Sequence, residues 1–406
     1  MFRGTISALL MANSLLAVDP LPCPPQRPMN LVTGAMASTS LALDIIKLEP
    51  KGKNCVLSTL LCSQVISALE SGARGTTRRQ LTQLLPDMVT PKILGCLGQQ
   101  WVSGGGRSKS SPSDPRVTNS GSVWINPKFK VKPDYLSALE SDLRWQVKRV
   151  NLADAAGQAE LNQWVAQVTE SSLSQLINPE ELQETTPLVL ATAATFEGRW
   201  ALPFDSTNTK PANFKVSADK SVEVMMMETT GFFPVRKLPS DTIVTLPIEG
   251  GDGRWSLVIA IPERRNAAQL LQASSAAAWR QWLQTAQQTY VKLRLPRFSI
   301  RCPMDLKPKL ESLGVKLAFT TAADFGNISA TSPLYVGAIL QDAFITVNEI
   351  GVKAAALAEV AFKALALQSP PEPLEITVDR PFLFALMDRR TGGSLFLGAC
   401  YVPGEP

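Results

Sequence analysis

Two hydrophobic periodicities divide this chain. Over residues 30–48 the apolar positions Leu31, Met36, Leu41, Leu43, Ile45 and Ile46 are compatible with a first helix. Residues 62–72, through Val65, Ile66, Ala68 and Leu69, read as an apolar helix closed by Gly72, and residues 76–85 as another short helix. Residues 120–131 are strand-like, 135–145 helical, and 158–176 a strong amphipathic helix. Beyond that the period falls to two. Strands are predicted at 186–196, 222–227, 242–247, 255–261, 290–295, 335–347, 374–378 and 381–387, with helices at 267–285 and 304–313. Helices concentrated early and antiparallel-looking strands late predict an α+β domain rather than a βαβ repeat, and no internal repeat is visible.

Composition narrows the chemistry. Of the 406 residues 45% are hydrophobic and 18% charged, which predicts a soluble folded chain. The net charge of +5 comes from scattered residues without a basic run, so nucleic acid is not an expected partner. Arg74, Arg78 and Arg79 form a small cluster that reads as a solvated helix face. Histidine is absent, which removes the usual general base of serine and cysteine hydrolases and the commonest zinc ligand. An enzyme is not expected. Six cysteines (Cys23, Cys55, Cys62, Cys96, Cys302 and Cys400) show no CxxC pair and no metal-ligand spacing, so neither a metal nor a cofactor is expected. They read as buried free thiols, with disulfide pairing left open. The glycines at 104–106 lack the spacing to Lys-Ser/Thr that a phosphate loop needs and read as a surface loop.

The first 18 residues have a basic start followed by a mostly apolar stretch over 6–18, interrupted at Asn13 and Ser14. They are expected to be a signal peptide, making the protein secreted and extracellular. Nowhere else does an apolar run reach the roughly 18 residues of a membrane span, so no membrane partner is expected. In a secreted chain the Asn327-Ile328-Ser329 sequon acquires meaning. Residues 19–37, Pro-rich over 20–28, read as a linker before one domain at 38–406.

Several segments, in order, resemble serpins, the serine-protease-inhibitor superfamily. They begin with Asn54-Cys-Val-Leu-Ser58, Ala68-Leu69, Gly72-Ala73 and Thr77. Leu188-Val-Leu-Ala-Thr-Ala-Ala-Thr-Phe196-Glu-Gly198-Arg-Trp200 and Pro203-Phe204-Asp205 follow, then Val224-Met-Met-Met227, Leu246-Pro247 and Ser256-Leu-Val-Ile-Ala-Ile-Pro262. The C-terminal third is the most specific, with Leu295-Pro-Arg-Phe298, Val347-Asn-Glu349-Ile-Gly351, Arg380-Pro-Phe-Leu-Phe384 and Leu395-Phe-Leu-Gly398. The resemblance implies a monomeric single domain with three β-sheets, eight or nine helices and an exposed reactive-centre loop at about 349–375. It implies a mechanical trap for a serine protease: the cut loop enters the large sheet as an extra strand.

On this resemblance the hinge comprises Glu349, Gly351, Val352, Lys353, Ala354, Ala355 and Ala356. With Gly351 as pivot, alternation turns Val352, Ala354, Ala356, Ala358 and Val360 inward, all small or β-branched and apolar, as burial requires. The family's spacing puts the scissile bond at Leu365-Ala366, which favours chymotrypsin-like proteases. Lys363, a trypsin-like alternative, and Phe362 follow if the register slips. The sheet-opening region implied is Ser58, Leu61, Thr192, Trp200 and Gln341. Here the chain departs from the family: the usual proline after Ser58 is Thr59, the second serine is Leu61, the asparagine is Thr192 and the histidine is Gln341. Gln341 both donates and accepts, so it can rebuild a hydrogen-bond network. Val352 replaces the commoner Thr, Lys353 replaces Glu, and Leu357 is bulkier than usual. Two functions follow: a suicide inhibitor of a serine protease, or a non-inhibitory carrier or interaction protein on the same fold.

Overall fold

The computed structural model describes residues 28–102, 114–171, 186–330, 334–352 and 372–404. The first helix, α1 (Pro28–Ile46), leads through β1 (Cys55–Ser58) into α2 (Thr59–Gly72), α3 (Gly75–Thr82) and α4 (Pro91–Val102). Next come β2 (Arg116–Ile125), α5 (Pro133–Ala138) prolonged by a π-helical turn at Leu139–Leu143, β3 (Gln146–Arg149), α6 (Ala155–Val168) and β4 (Leu188–Arg199). The second half runs β5 (Lys210–Lys215), β6 (Ser221–Lys237), β7 (Asp241–Pro247), β8 (Trp255–Pro262), α7 (Ala267–Ala273), α8 (Ala276–Thr285), β9 (Gln287–Pro296), β10 (Phe298–Asp305) and α9 (Lys307–Ser312). It closes with β11 (Val336–Val347), β12 (Gly351–Val352), β13 (Leu374–Thr377), β14 (Phe382–Asp388) and β15 (Ser394–Cys400). The expected α+β class is met. No helix among the described residues is long and apolar enough to cross a membrane.

Several elements differ from their sequence expectation for local reasons. The helix expected over 267–285 is two helices, because Ser275 caps α8 with its hydroxyl on the Ala278 amide (3.1 Å) while Asn266 and Gln269 form a capping box on α7. The helix expected from 304 starts later, since β10 runs to Asp305, whose carboxylate accepts from the amides of Lys307 and Ile339. The long amphipathic helix ends at Val168, with Glu170 and Ser171 at positive φ. Helix α4 is not among the elements expected from sequence, although Ile93, Leu94, Leu97 and Trp101 lie at helical spacing and are buried.

Hydrogen bonding joins the described strands into two sheets rather than the expected three. One has the order β10-β11-β12-β4-β2-β3; the other runs β1-β15-β14-β8-β7-β6-β9-β13, with β5 beside β6. The 17-residue β6 explains the merger: it pairs with β5 and β9 along its first part and with β7 at Val235–Lys237, linking two groups of strands.

Helix α2 lies buried almost throughout, beneath the first sheet and against the second. Between α4 and the second sheet sits a fully buried ion pair. Arg254 donates from Nε and Nη2 to the two oxygens of Asp388 (2.9 and 2.8 Å), and its Nη1 reaches the Gln100 carbonyl at 2.7 Å. Asp388 also accepts from Trp101 Nε1 (2.9 Å), the Thr391 hydroxyl and the Arg390 amide. Burial pushes the Asp388 carboxyl up, but the Arg254 fork and its other donors outweigh this and hold it below the usual carboxylate range.

Cys55, Cys62, Cys302 and Cys400 are buried free thiols, as expected. Cys96 differs, being disulfide-bonded. The sequon asparagine is engaged in the fold: Asn327 Nδ2 donates to the carbonyls of Ser71 (3.3 Å) and Ala73 (3.4 Å), while its Oδ1 accepts from Arg74 Nε (2.6 Å). Arg78 pairs with Glu70 at the surface.

Replacing Asp388 by Asn leaves Arg254 charged in the interior with a weakened partner. We expect Asp388→Asn to lose about 3–5 kcal/mol, the cost of breaking a buried pair, read as a lowered urea midpoint. A loss below about 1 kcal/mol would mean that the pair behaves like a surface one.

Candidate functional site

The first sheet contains a seam. Strands β4 and β11 run parallel and pair directly from Leu188/Val336 to Ala194/Ala343. Past that point they part, and β12 fills the gap, antiparallel to both: Val352 faces Gly198 on β4 and Val347 on β11, and Gly351 faces Arg199. Each strand in the seam turns alternate residues to opposite faces. Thr192 and Gln341 point back toward α2, whereas Ala191, Ala193, Ala338 and Leu340 point forward into a cluster with Leu161, Trp164 and Val165 of α6.

The link between β11 and β12 is a tight turn. Asn348 Oδ1 accepts from the amides of Ile350 (3.0 Å) and Gly351 (3.1 Å), and the Asn348 amide donates to the Gly351 carbonyl. Trp200, buried, clamps it by donating its Nε1 to the Asn348 carbonyl (2.8 Å) and its amide to the Ile350 carbonyl (2.9 Å). Glycine is required at 351 because a Cβ there would stand 2.0 Å from the Gly198 carbonyl oxygen. Below the turn, Glu349 Oε1 accepts from Arg297 Nε (2.7 Å) and from the Thr209 hydroxyl (2.6 Å). Burial pushes the Glu349 carboxyl up; the donors Arg297 and Thr209 together overcome that, and it lies below its ordinary value.

Behind the seam the sequence-predicted residues meet. Gln341 Nε2 donates to Thr192 Oγ1 (3.4 Å) across the junction of the two strands, and Gln341 Oε1 accepts from the Ser58 amide (3.2 Å). Thr192 Oγ1 donates onward to the Leu340 carbonyl (3.3 Å). A fourth member is Cys62, whose Sγ donates to Gln341 Oε1 at 3.6 Å. Burial pushes this thiol up to about 12, so it remains a neutral donor. The Ser58 hydroxyl has no partner, and Leu61 contributes only apolar packing. Cys62 was missed, although it lies in the first turn of α2, which directly follows Ser58 at the end of β1. Arg297 and Thr209 were also missed, being distant in sequence from the Glu349 they hold.

Of the expected hinge, Glu349, Gly351 and Val352 are seen. Lys353, Ala354, Ala355 and Ala356 lie outside the described residues, as do the expected bond Leu365-Ala366 and the alternatives Phe362 and Lys363. No group of His, Cys, Asp or Glu side chains among the described residues could hold a metal ion.

Because the folded carboxyl value of Glu349 is depressed, the stabilisation it carries is present above the ordinary value and lost as pH falls through the folded one. Glu349→Gln should therefore cost about 1–3 kcal/mol at pH 7, and the gap between the two proteins should close as the pH is lowered below about 4. Urea unfolding at both pH values checks this. A gap independent of pH would show that charge is not what holds the turn.

The architecture and sequence have many counterparts. The serpin (serine protease inhibitor) family pattern matches residues 36–403. Glia-derived nexin of Rattus norvegicus is 30% identical over 371 residues, covering 88% of this chain and 90% of its own length. Among solved structures, human thyroxine-binding globulin superposes with a TM-score of 0.81 at 22% identity, covering 93% of this chain and 100% of its own. Mouse protein-Z dependent protease inhibitor gives 0.79 at 20% identity, with 93% of this chain and 100% of its own covered. With a family match across nearly its whole length and the matching fold, this chain belongs to the serpin family.

Proposed function

We propose that this protein is a secreted, extracellular suicide inhibitor of a serine protease, in which residues 353–365 enter the β4–β11 seam after cleavage at Leu365-Ala366. The protease serine attacks the Leu365 carbonyl carbon, an ester forms, and the bond to Ala366 breaks with Ala366 leaving as a protonated amine. Insertion of the cut loop then carries the esterified protease away before water can release it.

The observation that carries this reading is the position of β12. Val352 already sits between the two strands that must part, and β12 runs antiparallel to both, in the direction of the stretch where they pair. Extending both pairings one residue at a time brings Ala358 opposite Thr192 on β4 and Gln341 on β11. Those two residues already face each other. A strand continued from Val352 is thus in register with both neighbours at once, without a bulge. The residues that would face α2, Ala354, Ala356, Ala358 and Val360, carry no charge, so none brings an unpaired ion into the core. Leucine before the cut bond favours a chymotrypsin-like target.

The Gln341 cluster also supports the inhibitory reading over the carrier one. Its bonds across the seam, from Gln341 Nε2 to Thr192 Oγ1 (3.4 Å) and from Thr192 Oγ1 to the Leu340 carbonyl (3.3 Å), are long and are the side-chain contacts an entering strand would break; the bonds of Gln341 to Ser58 and Cys62 lie on one side and can persist.

Protein nicked within 360–370 by chymotrypsin should melt well above the intact protein, and mixing intact protein with chymotrypsin should give a complex that survives denaturant. Ala358→Arg should leave the intact protein unchanged but abolish the rise and turn the inhibitor into a substrate, because a guanidinium would have to enter beneath the sheet. Simple cleavage of the wild type with no change in melting would sink the inhibitory reading and favour the carrier one.

A further inference from the structure

The turn between β7 and β8 carries four consecutive residues at positive φ: Gly250 (75°), Gly251 (55°), Asp252 (54°) and Gly253 (65°). Asp252 alone among them has a side chain, and it is held at φ 54°, ψ 36° in the left-handed region. A Cβ in that conformation crowds the following carbonyl, so glycine is the relaxed residue there. Packing does not offset the strain. The Asp252 side chain is 81% exposed, and its ion pair with Arg390 (Oδ2 to Nη2, 3.2 Å) is a surface one that contributes little.

Asp252-Gly253 is also the sole Asp-Gly step in the chain, and no Asn-Gly step occurs. The Gly253 nitrogen and the Asp252 carboxyl carbon are the two ends of a five-membered ring waiting for one bond. Approach is open, since even a Cβ at 253 would meet nothing within 4 Å. The Gly253 amide donates to the Gly250 carbonyl (3.0 Å), a bond within an exposed turn that local opening releases.

We propose that Asp252 is a site of spontaneous isomerisation to isoaspartate, and that the change loosens the buried Arg254–Asp388 pair. The Gly253 nitrogen attacks Cγ of the protonated Asp252 carboxyl; an N–Cγ bond forms, and the N–H hydrogen and the carboxyl hydroxyl leave as water. Water then opens the imide. Cleavage of the N–Cγ bond returns aspartate, whereas cleavage of the bond between that nitrogen and the Asp252 main-chain carbonyl carbon leaves isoaspartate, with the chain running through Cβ and Cγ. One water leaves, one enters, and nothing is oxidised or reduced. The product has one more rotatable bond in its main chain, so the crowding that strains Asp252 is relieved.

The turn is tied to the core at three points. Arg254, two residues on, is 2% exposed and holds Asp388 through Nε and Nη2. Its carbonyl accepts from the Arg389 amide (2.8 Å). Arg390, whose side chain meets Asp252, donates its amide to Asp388 Oδ1 (3.0 Å). A main chain lengthened by one carbon, about 1.5 Å, just before Gly253 pushes Arg254 against a close-packed site.

The test holds the full-length protein at physiological temperature and neutral pH for several weeks. Isoaspartate is read by methyl transfer from labelled S-adenosylmethionine with isoaspartyl methyltransferase and placed by peptide mass spectrometry. In the wild type the peptide carrying Asp252 should accept several-fold more methyl groups than in fresh protein. The isomerised fraction, separated by chromatography, should melt roughly 2 °C or more lower. Hydrogen exchange at the Arg389 and Arg390 amides, which donate to the two members of the pair, should quicken several-fold in it. Asp252→Gly removes the carboxyl and suits the left-handed turn, so it should melt close to wild type when fresh and keep its melting temperature on storage. No isoaspartate at 252 in the aged wild type, or more of it at other aspartates than at 252, would overturn the site. An equal fall in melting temperature in the wild type and Asp252→Gly, or unchanged exchange at Arg389 and Arg390 in the isomerised fraction, would overturn the link to the buried pair.

Discussion

Two parallel strands that pair along most of their length and are held apart at one end define this molecule. Strands β4 and β11 part around Gly351 and Val352 because the turn before them is over-determined: Asn348 folds the backbone back, Trp200 grips two carbonyls of it, and the Arg297–Glu349–Thr209 contact seats it. Adjacent strands are about 4.8 Å apart, so a third strand fits between them only if the pair separates. At Val352 that separation has been made. Whatever the loop does next begins from an edge already open by two residues.

The two faces of the seam present different chemistry. Behind it, a glutamine amide, a threonine hydroxyl and a neutral thiol make weak, replaceable bonds, suited to a junction that must hold and also give way. In front, small side chains at Ala191, Ala193 and Ala338 let α6 lie close across both strands. Elsewhere the core holds a more strongly bonded polar group. The buried Arg254–Asp388 fork ties α4 to the ends of β8 and β14, its two charges paired and further bonded to Gln100 and Trp101.

Much of this was legible from local pattern. The α+β class, most strand positions and the buried character of Cys55, Cys62, Cys302 and Cys400 follow from periodicity and composition, because a strand or helix with one buried face writes its period into the sequence. Element ends were less legible. The break between α7 and α8 turned on Ser275 capping a new helix inside an otherwise continuous helical pattern, and the join of two strand groups through β6 is a property of hydrogen bonding along one long strand. The ordered motifs from Asn54 to Gly398 placed the chain in its family, and Ser58, Thr192 and Gln341 in one region of it.

The sequence alone determined which residues are small, apolar or charged along the hinge, that histidine chemistry is unavailable to this chain, and which segments alternate. Tertiary structure alone decided what those residues meet. That Gln341 is answered by Cys62, that Arg297 and Thr209 hold Glu349, and that the outward face of the seam is covered by α6 all depend on side chains brought together from separate segments, 279 residues apart in the case of Cys62 and Gln341. No local period records such contacts, because each partner satisfies its own element's pattern whether or not the other is present. Outward on a strand means solvent only where nothing packs above it, and that is settled by the layer, not by the strand.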